Sequence, residues 1–206
     1  MLGSGRPSSR LRAVAAVAAL VLAASAATAR ADEPAPSIRS RLYAGLELAS
    51  VKVDDNYGGI DFSGSTLGAG LYTGFWMNDR LAVELAYDWT DAIDLRDLAG
   101  SGVRHVDITS ERHTLSVSVL RQVVLRDFFD LKRDWRVFGA LGVYDSEVHR
   151  TVTDLGSGAQ LSPGDNVSGA LVAAGVLYTV GRFELRGYLR GWGDVKEIGA
   201  AAQLRF

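Results

Sequence analysis

Three features of the sequence predict an all-β chain that closes as an eight-stranded antiparallel up-and-down transmembrane β-barrel behind a cleavable signal peptide. First, the last eleven residues, Lys196 to Phe206, alternate without a slip. Ile198, Ala200, Ala202, Leu204 and Phe206 fall on one face; Glu197, Gly199, Ala201, Gln203 and Arg205 fall on the other. A side-chain period of two is that of a β-strand, and roughly 9–11 residues is the length a tilted strand needs to cross a bilayer. Second, seven earlier runs alternate in the same way. Third, Pro7, Pro34, Pro36 and Pro163 all lie outside these runs, as expected because proline cannot donate to a sheet ladder.

The 206 residues point to one barrel domain, residues 40–206, behind a signal peptide over 1–31 and a flexible lead-in over 32–39. The positive stretch Arg6 to Arg12 precedes an Ala/Val/Leu run over Ala13 to Ala29. Small-x-small sites follow at Ala27-Thr-Ala29 and Ala29-Arg-Ala31. This is the layout of a secretory signal, with cleavage expected after Ala31 and Ala29 as the alternative. The segment holds four of the 22 basic residues and no acid, which leaves 18 basic against 24 acidic residues in the remainder. That balance offers no basic stripe for nucleic acid. Cysteine is absent, so disulfides do not hold the fold.

In chain order the runs are Arg41 to Val53, Thr66 to Met77, Leu81 to Trp89, Glu111 to Val124, Trp135 to Val148, Val167 to Val180, Phe183 to Trp192, and Lys196 to Phe206. The sixth is apolar on both faces; Ala170, Val172, Ala174, Val176 and Tyr178 are read as outward. Asn78-Asp-Arg80 and Val180-Gly-Arg182 read as tight turns. Segments 54–65, 90–110 and 149–166 are rich in Gly, Ser, Asp and Thr and read as long loops. Long loops thus gather at one end and turns at the other, apart from a short Gly193-Asp194 connection on the loop side and Leu125 to Asp134 on the turn side. Arg126 to Asp130 reads as an extended turn, with a small interfacial helix as the alternative.

Alternation alone does not say which face is inside, since a soluble barrel alternates identically. Aromatic placement decides. On the apolar face Phe75, Trp135, Tyr178, Phe183 and Phe206 lie at the turn end, and Tyr87 and Trp89 at the loop end. Two aromatic girdles at the two lipid–water interfaces account for this, with the apolar face outward. The polar face then lines the lumen. Glu47, Glu84, Glu184, Arg186, Arg190 and Arg205 are expected to form a charge network there, because charges in so narrow a space need partners. Arg186 and Arg190 can approach Gln203 and Glu197, and Glu47 can approach Arg205 or Gln203 across the seam; the stagger, which alternation does not carry, decides the individual pairs. The outcome anticipated is a plugged, hydrogen-bonded core in place of a hydrophobic interior.

On the strand pattern and the terminal Leu204-Arg-Phe206, residues 40–206 resemble the small eight-stranded outer-membrane barrels of the OmpA/OmpX type. The resemblance implies a bacterial outer-membrane location and lipid partners that include lipopolysaccharide. It also implies an assembly signal at Phe206 and Leu204 that the barrel-assembly machinery reads. No stretch resembles the peptidoglycan-binding domain that accompanies the barrel in OmpA.

No catalytic, cofactor-binding or metal site stands out. His105, His113 and His149 are far apart in sequence and lack His-x-x-x-His spacing. The His-x-Ser pattern of barrel lipid A deacylases is missing, since Asp107, Leu115 and Thr151 occupy the second position after each histidine. Asp54, Asp55, Asp91, Asp94 and Asp97 lack an EF-type spacing and read as solvated acidic loops. Gly68-Ala-Gly70 precedes no helix and is not a dinucleotide fingerprint. The reading is a non-conducting structural or surface-interaction barrel whose extracellular partner the residues do not name. A small pore and a lipid A-modifying enzyme are the alternatives.

Overall fold

The computed structural model describes residues 41–57, 60–99, 105–124 and 135–206. The signal peptide, the lead-in and the Arg126 to Asp130 turn lie outside the described residues. The strands are β1 (Leu42–Tyr57), β2 (Ile60–Asn78), β3 (Leu81–Ala99), β4 (His105–Val124), β5 (Trp135–Asp154), β6 (Gln160–Leu161), β7 (Gly164–Val180), β8 (Phe183–Trp192) and β9 (Val195–Arg205). Every pairing is antiparallel, and because β4 pairs with β5 and β1 with β9, all strands except the two-residue β6 close into a ring of eight.

The registers set the stagger of the ring. A paired row runs from Trp135 through Tyr178, Leu185, Ala202, Leu46, Leu71, Tyr87 and Leu115 to Asp145, ten residues above its start on the same strand. Eight strands with a shear of ten tilt by about 41° at ordinary strand spacing. Each residue then climbs about 2.5 Å along the barrel axis, and each step to the next strand about 3 Å. On that scale Phe206, Trp135, Phe183 and Tyr178 share one level to within about 4 Å. Tyr87 and Trp89 stand roughly 19–24 Å higher. Leu46, Leu48, Leu67, Leu141, Leu189 and Ile198 fill the outer surface between them and are each more than 60% exposed, an apolar belt of the height lipid requires.

Side-chain facing follows the alternation. Glu47, Tyr72, Glu84, Glu184, Arg186, Tyr188, Arg190 and Gln203 are buried inward, while Leu46, Leu71, Val172 and Val176 face out. Leu171 and Leu177 point in, as the reading of β7 requires. The facing predicts a contrast. Val83→Arg on the belt should cost about 2–4 kcal/mol in lipid, more in a thicker bilayer, since the charge must leave water. Gly70→Arg should fail for another reason, because even a Cβ there would overlap the Asp88 and Glu47 side chains, so its defect should not vary with bilayer thickness. Refolding in lipids of two chain lengths checks both.

The long loops are the first correction. Most of 54–65, 90–110 and 149–166 is strand, so that β1–β2, β3–β4 and β5 project beyond the belt. Turn-forming composition is overridden by burial. Phe62, Val106, Ile108 and Val152 pack together inside the projecting part, and Ile93 joins Val51, Val53, Tyr144, Leu171, Trp192 and Val195 just below. Polar side chains tie neighbouring strands, with Ser63 donating to Asp54 (2.7 Å), Asn56 to Asp61 (2.6 Å) and Thr109 to Asp94 (2.7 Å). The Ser63 hydroxyl and the Lys52 ammonium hold the Asp54 carboxyl below its usual range. The interior is therefore not a polar plug in place of a hydrophobic one, which is the second correction: apolar layers alternate with charged ones.

Candidate functional site: a layered lumen and a projecting sheet

The lumen residues come from inward positions on β1, β2, β3, β5, β8 and β9, which the shear arranges in successive layers. Arg186 of β8 makes a two-pronged contact with Glu84, 3.0 and 2.9 Å, and also donates to Gln203 (3.0 Å). Its guanidinium lies between the faces of Tyr72 (4.7 Å) and Phe138 (5.0 Å). The hydroxyl of Tyr43 donates to Glu84 (3.0 Å), and that of Tyr72 to Gln203 (3.1 Å). Higher up, Arg190 donates to Glu47 (2.5 Å) and to Glu197 (2.7 and 3.0 Å), with the rings of Tyr188 and Trp192 at 5.3 and 5.1 Å. Asp88 adds a carboxylate 3.0 Å from Arg190, an ion pair without hydrogen-bond alignment. At the turn end Glu184 meets Arg136 (3.0 Å), Arg205 (2.5 Å) and the Gln203 amide.

The structure brings Glu47, Glu84, Glu184, Arg186, Arg190 and Arg205 into one lumen and fixes the pairs that alternation left open. Glu47 meets Arg190, and Arg205 meets Glu184. Side chains meet across the lumen at equal height, and by the shear Glu47 sits about 13 Å above Arg205 but within about 4 Å of Arg190. Asp88 and Arg136 are network members that the sequence reading left out. Asp88 has the parity of Glu84 within one run, so alternation carried its signal. Arg136, second in β5, has the inward parity opposite Trp135 and Val137, so alternation carried its signal as well.

A cavity of about 20 Å³ between Arg186, Arg190, Ser116, Ser118 and Phe138 is the enclosed space within this layer. That is room for about one water.

Above the belt the wall is uneven. β8 ends at Trp192 opposite Leu171, and β9 begins at Val195 opposite Val53. On that side β7 has no ladder partner over 164–170 among the described residues. The amide of Arg150 donates to the Pro163 carbonyl (3.2 Å). Backbone groups alternate sides along a strand, so Asp165, Val167 and Gly169 hydrogen-bond toward β5 while Gly164, Asn166, Ser168 and Ala170 aim their amides at the gap. Arg150 spans that gap from within, bonded to both Asp55 and Asp165.

Of the girdle residues, Phe75, Trp89, Trp135 and Tyr178 face outward half-buried, and Tyr87 and Phe183 are exposed. The Trp135 and Tyr178 rings touch at 4.8 Å, and those of Tyr87 and Trp89 at 6.1 Å. Phe206 is 61% exposed; its amide donates to the Leu42 carbonyl (3.1 Å). Leu204 is opposite both Ala44 and Phe183. His113 and His149 come together on the outer face, with ring centres 6.1 Å apart, whereas His105 lies on the far part of β4 opposite Ala99. Asp55 serves as an ion-pair partner, and Asp54 and Asp94 as hydrogen-bond acceptors.

A model of the outer membrane protein beta-barrel domain matches residues 15–186. Solved structures with a similar fold include Neisserial surface protein A, at 16% identity over 80% of this chain and 97% of that one, with a TM-score of 0.49. The attachment invasion locus protein Ail of Yersinia pestis, solved with the heparin analogue sucrose octasulfate, is 12% identical over 79% and 95%, TM-score 0.49. OprG of Pseudomonas aeruginosa is 14% identical over 82% and 98%, TM-score 0.44. No curated protein sequence matches the chain.

Proposed function

The chain belongs to the outer membrane β-barrel domain family and is a protein of the bacterial outer membrane, and from that premise we propose that it is a non-conducting structural barrel that presents a binding edge to the cell exterior. The observation that carries this reading is the projecting sheet. A strand whose amides and carbonyls face solvent is a template for another strand. β7 offers such a stretch over 164–170, where Val167 is 37% exposed, above a belt that anchors it in lipid. The partner this edge fits is an extended polypeptide that adds as a further strand, with its backbone supplying affinity. Lipopolysaccharide is the proposed lipid neighbour of the belt, and the barrel-assembly machinery the partner during insertion.

Ser168→Pro tests it. Its amide aims at the gap and not at β5, so proline removes an edge donor while leaving the β5 ladder intact. Cells displaying this variant are expected to adhere several-fold less to epithelial monolayers than cells with the wild-type chain, at equal levels of heat-modifiable barrel. Adhesion that persists after the hairpins above the belt are cut away removes the surface-interaction role.

The layered lumen supports the non-conducting reading over the pore alternative. Buried Arg186 and Arg190, each flanked by two aromatic rings and held by carboxylates, stand across the lumen at their level. Planar-bilayer recordings of the purified chain are expected to show no steady conductance. Reproducible single-channel steps from the wild type would put the pore reading first.

A further inference from the structure

We propose that the outer face of β4 and β5, just above the apolar belt, holds a transition-metal site formed by His113, His149 and Glu147, with Tyr87 orienting one ligand. The position is unusual for a lipid-facing wall. Below it the outward residues of these strands are Val117, Val119, Leu141 and Val143. At and above the Tyr87 level the outward positions become Asp145, His113, Glu147, Glu111 and His149. By the shear these stand about 25–35 Å above Trp135, past the upper aromatics and in reach of water and ions. Of these, Asp145, His113, Glu147 and His149 line a groove of about 430 Å³ together with Tyr87, Leu115 and Asn166.

Two spacings lie close to those of a divalent ion's shell, and a third orients one of its ligands. A zinc-type ion binds imidazole nitrogen at about 2.0–2.1 Å, and the ring centre lies about 1 Å behind that nitrogen, so two rings on one ion have centres roughly 5–6 Å apart. The His113 and His149 rings are edge-to-face at 6.1 Å. The edge of a tetrahedron with such bonds is about 3.3 Å. Nε2 of His149 lies 3.3 Å from Oε1 of Glu147. Finally, Nδ1 of His113 lies 3.0 Å from the Tyr87 hydroxyl, with the two rings stacked. A proton on Nδ1 donated to Tyr87 fixes the tautomer and leaves Nε2 as the ligand, the arrangement that orients metal-binding histidines elsewhere. One oxygen of Asp145, in the same groove, is buried with no hydrogen-bond partner.

As they stand, no three side chains among the described residues already converge on one point. His149 and Glu147 are 53% and 62% exposed, so small rotations of free side chains close the site without moving a strand. His113 and Glu147 are direct cross-strand partners and His149 is the diagonal neighbour, and both separations are within side-chain reach. Three protein ligands leave the fourth position to water. Mixed imidazole and carboxylate donors favour Zn²⁺, Cu²⁺ or Ni²⁺ over Ca²⁺ or Mg²⁺.

The test uses the folded full-length barrel in detergent, with any affinity tag removed. Zn²⁺ is titrated against a chromophoric chelator, and Co²⁺ is used as a spectroscopic probe. One equivalent of Zn²⁺ and a tetrahedral Co²⁺ absorption band are expected. His113→Ala, His149→Ala and Glu147→Gln should each weaken Zn²⁺ by more than about tenfold. Tyr87→Phe should weaken it about tenfold, and His105→Ala should leave it unchanged. Tyr87, His105, Glu147 and His149 are exposed and His113 half-buried, and heat-modifiability verifies that each variant folds. Absence of saturable Zn²⁺ binding overturns the proposal. So does binding that survives the His113→Ala/His149→Ala double variant, or Ca²⁺ binding equal to Zn²⁺ and indifferent to both histidines, which would mark an acidic patch.

Discussion

Arg190→Ala is expected to lower the unfolding free energy of the barrel by about 3–5 kcal/mol, as removal of one partner from a buried ion pair does. Arg190 is 8% exposed and faces the carboxylates of Glu47, Asp88 and Glu197. Alanine leaves all three in the lumen without their cation and empties the space between Tyr188 and Trp192. Two losses therefore act together, an uncompensated buried charge and a cavity. Arg190→Lys should recover part of the loss: a point charge reaches one or two of the carboxylates but cannot reproduce the planar fork or the stacking. The exposed turn variant Arg80→Ala should stay within about 0.5 kcal/mol of wild type. Reversible urea unfolding in liposomes, followed by tryptophan fluorescence, checks the series. An Arg190→Ala barrel as stable as Arg80→Ala would mean that the network contributes nothing to the fold.

Deletion of Phe206 is expected to abolish insertion in cells while costing little in vitro. The residue's structural ties are one backbone hydrogen bond to Leu42 and an exposed ring. Loss of a single such bond is worth about 1 kcal/mol, too little to unfold a closed ring whose β9 ladder to β1 and β8 stays in place. The proposed role of Phe206 and Leu204 is recognition during assembly, so the two readouts should separate. In cells, export to the periplasm should continue while heat-modifiable barrel falls to background. In liposomes, the purified variant should refold at nearly wild-type yield. Normal outer-membrane levels of the deletion variant would remove the assembly role, and failure to refold in vitro would make Phe206 a stability residue instead.

Much of this molecule was legible in the order of its residues. Strict alternation in Lys196 to Phe206 and in the seven runs before it set the strands, their faces and the belt, because side-chain direction in a strand is a local property with a period of two. Parity together with the aromatic girdles put Glu47, Glu84, Arg186 and Arg190 inside and Leu46, Leu71 and Val172 outside. What parity does not carry is height. The shear of ten is a closure condition on all eight strands at once, and no single run contains it. It decides that Glu47 meets Arg190 and not Arg205, that Asp88 joins them, and that His113 and His149, 36 positions apart in the chain, come together on one patch of the outer wall. The projecting hairpins were hidden for a related reason. Asp, Ser and Gly around 54–65 and 149–166 read as loop until Phe62, Ile108 and Val152, which are distant in sequence, bury one another. Alternation is written residue by residue, whereas stagger and mutual burial exist only once the ring has closed.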